Sequence, residues 1–205
     1  GVDEESVVDF NISGGNEEFV TTGIHYQYLN VDRLVNPSKG ISFKTEINNT
    51  QSINNSEVSF VNLKGQLSFY LPLNSFTKQS ILAFRTAYSG NFGDFAFYQS
   101  NFLSGTNEVR GLARNRFAGN SVAYGNAELR KSFIKNRNSP ALFDLGMVLH
   151  GDLGRVWYEN ESSEKWHNSY GGGLFINVLD FFALVGTYSI SDQDELVNVG
   201  MKFYF

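Results

Sequence analysis

Few side chains in this sequence have the type and spacing needed to make or break covalent bonds. The 205-residue chain contains no cysteine, so thiol nucleophiles, disulfides and thiolate metal sites are excluded. His25, His150 and His167 are scattered along the chain rather than set at ligand or catalytic spacing, and they read as lumen or loop residues. No Gly-x-Ser-x-Gly elbow, phosphate-binding loop or His-Glu-x-x-His helix occurs. Asp192, Asp194 and Glu195 lack the turn glycine of a calcium loop and read as a polar hairpin. The run Gly171-Gly172-Gly173 follows no parallel strand and opens no helix, so it predicts a thin stretch of strand that lets a neighbour approach closely. No catalytic residue, metal site or cofactor is predicted. What remains is a recurring row that mixes opposite charges with glycines: Lys44, Glu46, Lys64, Arg85, Glu128, Arg130, Asp152 and Lys202.

The elements that carry this row are strands. Alternation of period two runs through Val8 to Ile12, Val20 to Tyr28, Ile41 to Asn48, Val61 to Leu71, Leu82 to Ser89, Ala127 to Phe133 and Phe143 to Gly154. Two further strands near Ser169 to Leu179 and Phe181 to Ile190 meet at Asp180, and Leu196 to Phe205 reads as a last strand with Val197, Val199, Met201, Phe203 and Phe205 on one apolar row. That gives about ten strands of about ten residues, the length that crosses a tilted bilayer path. Residues 91–120 break the rhythm and form the longest connection, and loops of this length usually have a function. No helical periodicity of useful length is present, and no apolar run approaches that of a spanning helix. No signal peptide is read at Gly1, which predicts a mature chain or a fragment.

Alternation alone leaves open whether the apolar row faces lipid or a soluble core. The ionic row, the strand length, the aromatic residues near strand ends and the terminal Phe205 favour apolar out and polar in. Lys131 and Arg155, charges on the apolar row, fall near strand ends, where an interface is within reach. Aromatic residues make up 15% of the chain and its net charge is -5, a balance that argues against a nucleic-acid partner. Loop lengths supply a second check. With Phe205 on the periplasmic side, the long connections 91–120 and 158–168 fall outside, as membrane barrels prefer, although the turn between Leu29 and Lys39 is long for the inner side.

The stretch Ser104 to Leu112 followed by Arg114 to Asn120 resembles the lid loop of the BamA-type outer-membrane assembly and translocation superfamily, the bacterial surface antigen family. Its hallmark, Val-Arg-Gly followed by an aromatic residue, is met by Val109, Arg110 and Gly111, with Leu112 at the fourth position. The resemblance implies that this loop folds into the lumen and that Arg110 meets wall acids, which correspond to Glu128 and Asp152. Asp152 and Gly154 match an Asp-x-Gly strand motif of the family, with His150 where Phe or Gly is usual. Asn198, Gly200, Phe203 and Phe205 fit the outer-membrane insertion signal, and the resemblance implies that this strand is one lip of a seam that opens sideways. Family barrels have about sixteen strands, so the likeness covers this chain as the C-terminal part of one, a single barrel domain over 1–205.

These observations predict an all-β, transmembrane, antiparallel up-and-down β-barrel or the greater part of one, in a Gram-negative outer membrane with its C-terminus periplasmic. By resemblance it assembles, inserts or translocates proteins and is not an enzyme. Its implied partners are outer-membrane lipid, a client or translocated protein, and accessory periplasmic or lipoprotein subunits, with no nucleic acid. The alternatives are a small pore or membrane anchor for a hydrolase-type domain preceding Gly1, and a soluble ligand-binding barrel.

Overall fold

The computed structural model describes residues 17–54, 57–73, 80–105, 108–136, 143–158, 165–178, 181–203 and 205. The strand expected over Val8 to Ile12, its following turn at Ser13 to Asn16, and the junction at Asp180 lie outside the described residues. Eleven strands follow in chain order: β1 Phe19–Val31, β2 Gly40–Ser52, β3 Ser59–Pro72, β4 Ser80–Asp94, β5 Asn101–Leu103, β6 Phe117–Gly119, β7 Ser121–Asn136, β8 Phe143–Trp157, β9 His167–Val178, β10 Phe182–Ser191 and β11 Glu195–Gly200. Nine of them form one sheet in the order β1-β2-β3-β4-β7-β8-β9-β10-β11, each antiparallel to its sequence neighbour in that sheet. This is an up-and-down meander, and among the described residues its outer strands β1 and β11 each have a single neighbour. Strands β5 and β6 pair with each other inside the long 91–120 connection, where the broken rhythm predicts only loop.

The two rows of each strand separate as an inside and an outside. Along β8, Asp144, Gly146, Val148, His150, Asp152 and Gly154 are buried, whereas Leu149 is 47% and Leu153 44% exposed. The same parity buries Arg85, Asn126, Glu128, Arg130, Ser169, Asn177 and Ser189 while Phe84, Tyr88, Leu129, Leu174, Leu184, Val197 and Val199 face outward. A sheet with charges inside and leucines outside has the wrong sign for a soluble barrel and the right one for a bilayer. Arg155 is on the outward row with its guanidinium 5.0 Å from the Trp157 ring and 5.9 Å from that of Trp166, an aromatic and cationic group at a strand end as interfaces favour. A bulge between Ser132 and Ile134 leaves both Phe133 and Ile134 exposed, a shift that strict alternation does not predict.

The last strand differs from its sequence reading. β11 ends at Gly200 rather than running to Phe205. Continued alternation places Phe203 outward with Val197 and Val199, yet it is 3% exposed and packs on inward-facing Val148, Phe175, Ala183 and Val185. The chain therefore bends into the lumen after Gly200. Inside, the Phe203 ring meets Phe175 edge to face at 4.9 Å and the Arg130 guanidinium at 4.1 Å, contacts that acyl chains do not supply.

Candidate functional site: a guanidinium fork between lid and wall

The wall half of the site follows from register. Glu128 on β7 pairs with His150 on β8, and Asn126 pairs with Asp152, so Glu128 and Asp152 are diagonal neighbours on one face. Such diagonal positions lie roughly 7–8 Å apart, which leaves space for a planar cation between two carboxylates. The lid supplies it. Glu108 and Val109 donate backbone hydrogen bonds to the Ser104 carbonyl, and Gly111 has a φ of 85°, a left-handed conformation suited to glycine, so the chain turns tightly around Arg110. Leu103, Val109 and Leu112 are all but fully buried against Val122 of the wall, which anchors the turn by apolar contact.

Arg110 is 2% exposed, and every arm of its guanidinium is used. Nε and Nη2 donate to Asp152 Oδ2 and Oδ1 at 2.8 and 2.6 Å, Nη1 donates to Glu128 Oε1 at 2.5 Å, and the Arg110 backbone N–H adds a 3.0 Å bond to Asp152. Planar two-armed recognition of this kind is what arginine provides and lysine does not. Asn126 links wall and lid by donating to Asp152 Oδ1 at 2.9 Å and to the Glu108 carbonyl at 2.8 Å, while accepting from Arg85 Nε at 2.8 Å. Gly154 has a packing role: a Cβ there would stand 2.6 Å from a Leu103 methyl and 2.7 Å from one of Val109. At Gly111 the lid also reaches the β10–β11 turn, where Ser191 donates to its carbonyl at 2.9 Å.

The structure thus brings Arg110, Glu128, Asp152 and Gly154 into one cluster with Val109 and Leu112 packed beside it, and separates the residues of the C-terminal signal. Asn198 and Gly200 stay on β11, whereas Phe203 and Phe205 turn into the lumen. Sequence reading missed Asn126 as a bridge and Arg130 as a second partner of Glu128, to which it donates through Nε at 2.8 Å and Nη2 at 2.7 Å. A signal was present, since Arg130 stands two residues beyond Glu128 and so shares its face.

One buried grouping has the residue types of a nucleophilic triad: Ser189 Oγ lies 3.0 Å from His150 Nε2, and His150 Nδ1 lies 3.6 Å from Asp152. The second distance is too long for a hydrogen bond, Asp152 is committed to Arg110, and Ser189 has no exposed surface, so no substrate reaches it. Among the described residues no group of side chains is arranged to hold a metal ion.

A family model described as the Omp85 superfamily domain matches residues 5–205. No curated protein matches the chain. Among solved structures that resemble it is the BamA crystal structure from Haemophilus ducreyi lacking POTRA domains 1-3, at a TM-score of 0.66 and 17% identity, covering 88% of this chain. That likeness is one of fold, and this chain spans 40% of the BamA chain. With the family model matching nearly every residue of an antiparallel sheet that is ionic inside and apolar outside, the chain belongs to the Omp85 superfamily.

Proposed function

We propose that this domain acts in the assembly, insertion or translocation of proteins at the bacterial outer membrane, with Arg110 as the latch that seats the lid in the lumen. The carrying observation is the Arg110 fork, buried between Glu128 and Asp152 on adjacent strands. A lid held by charge-assisted bonds to the wall can leave as a unit when that fork is broken, which suits a lumen that must be sealed at rest. In this reading the lid end faces outward, the opposite end faces the periplasm, and the partners are lipid, a client polypeptide and accessory periplasmic subunits. Edge strand β11 is the lip at which a client strand pairs. The test is assembly of a reporter barrel in cells or vesicles carrying Arg110→Ala, alongside protease cleavage of the lid. Unchanged assembly together with an unchanged, protected lid would defeat the latch.

A second reading is a closed structural anchor. It is favoured by the occupation of both ends of the lumen, by the lid at one and by residues Val35, Asn36 and Phe203 at the other. Planar-bilayer conductance with and without the lid separates the two, since an anchor stays silent after lid removal.

A further inference from the structure

At the end of the lumen away from the lid, contacts that the latch does not require join the β1–β2 connection to the chain beyond β11. The β1–β2 connection, the end of β3, the start of β4 and the exit from β11 lie at this end, because the meander alternates direction. The β1–β2 connection, residues 32–39, is folded by Asp32, whose carboxylate accepts from Ser38 Oγ at 2.5 Å and from the backbone N–H groups of Ser38 and Lys39 at 2.8 and 3.1 Å. So shaped, it packs Val35 against the Phe203 cluster and presents Asn36, 2% exposed, to Arg130.

Arg130 gathers these pieces. Its Nη1 donates to Asn36 Oδ1 at 3.3 Å and its Nη2 to the main-chain oxygen of Phe205 at 2.9 Å. Its guanidinium carbon lies 4.1 Å from the Phe203 ring centre, 5.5 Å from that of Phe205 and 5.9 Å from that of Tyr70. Arg85 approaches the Phe205 ring as well, at 5.0 Å. The Arg130 side chain reaches Glu128 through Oε2, while the other oxygen of that carboxylate takes Arg110 of the lid.

We infer that residues 32–39 and 201–203 together with Phe205 form a floor closing this mouth of the lumen, that Arg130 is its positioning residue, and that Glu128 couples floor and lid by holding Arg130 and Arg110 on a single carboxylate. Arg110 arrives from the lid, while Arg130 stands on the wall two residues along β7 from Glu128 and holds the floor through Asn36, the Phe205 oxygen and the Phe203 ring. Losing either cation therefore frees the plug it holds, and losing the shared anion loosens both. The inference rests on the latch reading only through Glu128.

The chain has no native cysteine, so single reporters are clean. Ala183→Cys lies beneath Phe203 and reports the floor, and Val122→Cys lies beneath Leu103 and Val109 and reports the lid, both sites being buried. The rate of modification by a charged methanethiosulfonate reagent is measured on the full chain in detergent, with heat-modifiable gel migration confirming an intact barrel. Arg130→Gln should speed labelling at Ala183→Cys by roughly tenfold or more and leave Val122→Cys unchanged, because a broken buried pair shifts a local opening equilibrium by at least that factor. Arg110→Gln should do the reverse, and Glu128→Gln should expose both. An unmoved Ala183→Cys rate in Arg130→Gln, or a Glu128→Gln effect confined to one reporter, overturns the inference. Should Arg130→Gln not assemble, Ala183→Cys in the otherwise native chain decides: labelling as fast as in the urea-unfolded protein means there is no floor. If Arg110→Gln leaves Val122→Cys shielded, the latch reading fails while the Arg130 comparison still judges the floor.

Discussion

Arg110→Ala removes the guanidinium hydrogen bonds to Asp152 and Glu128 and keeps the backbone N–H bond to Asp152. The two carboxylates are then unequally placed. Glu128 keeps Arg130 at 2.7 Å, but Asp152 is left without a cationic hydrogen-bond partner, with the residue-110 backbone N–H at 3.0 Å, Asn126 at 2.9 Å, Ser169 at 3.3 Å and the His150 ring nitrogen at 3.6 Å. Stranding one member of a buried pair costs about 3–5 kcal/mol, and with one acid still paired the lower figure of about 3 kcal/mol applies. At about 1.4 kcal/mol per factor of ten, the lid-open population rises by about 150-fold. Opening admits water to Asp152, so the penalty falls on the closed state and hardly on the sheet. Deuterium exchange at the amides of Val109, Gly111 and Leu112 reads this directly, with β10 amides as the internal reference. Neutralising the orphan in Arg110→Ala/Asp152→Asn should recover much of the lost protection, a non-additivity expected of contacting partners. Lid amides whose exchange rises less than about threefold, or β10 amides rising in step with them, would refute the reasoning from charge to lid.

Three further outcomes follow from the geometry. Gly154→Val should push the lid off its seat, because even a Cβ meets Leu103 and Val109 at under 3 Å; lid proteolysis should rise while heat-modifiable migration is retained. Leu149→Arg, outward-facing near the middle of β8, should cost about 2–4 kcal/mol in a bilayer and lower insertion yield into vesicles, whereas the same change at exposed Tyr158 beyond the strand end should be tolerated. In the β1–β2 connection, slight burial alone would raise the Asp32 carboxyl, but hydrogen bonds from Ser38 and Lys39 and the charge of Arg33 outweigh it and hold the group below its ordinary value. Its stabilisation is therefore complete above the ordinary carboxylate range and is lost as pH falls through the lowered folded value. Exchange at the Ser38 and Lys39 amides should quicken on that acid limb, and Asp32→Asn should abolish the pH dependence.

Period-two alternation determined much by itself: that the chain is strands, that the strands are long enough to cross a bilayer, and that Arg85, Glu128, Arg130 and Asp152 share the face opposite Leu129, Leu149 and Leu153. A strand's side-chain period is a local property of its backbone, so each stretch declares its own two faces. The Val-Arg-Gly stretch likewise marked Arg110 before any neighbour was known. Which residues stand across from one another was not legible, because register depends on pairing between segments distant in sequence. The diagonal placing of Glu128 against Asp152, the contact of Gly154 with Leu103 and Val109, and the Asn126 bridge all arise there. The end of the chain shows the limit most plainly. Alternation sent Phe203 and Phe205 outward to lipid, and the folded protein turns them inward to Arg130 and Arg85. A short segment keeps the strand period only while backbone pairing continues. Where cations and apolar side chains from five other strands offer a better surface, tertiary contacts override it.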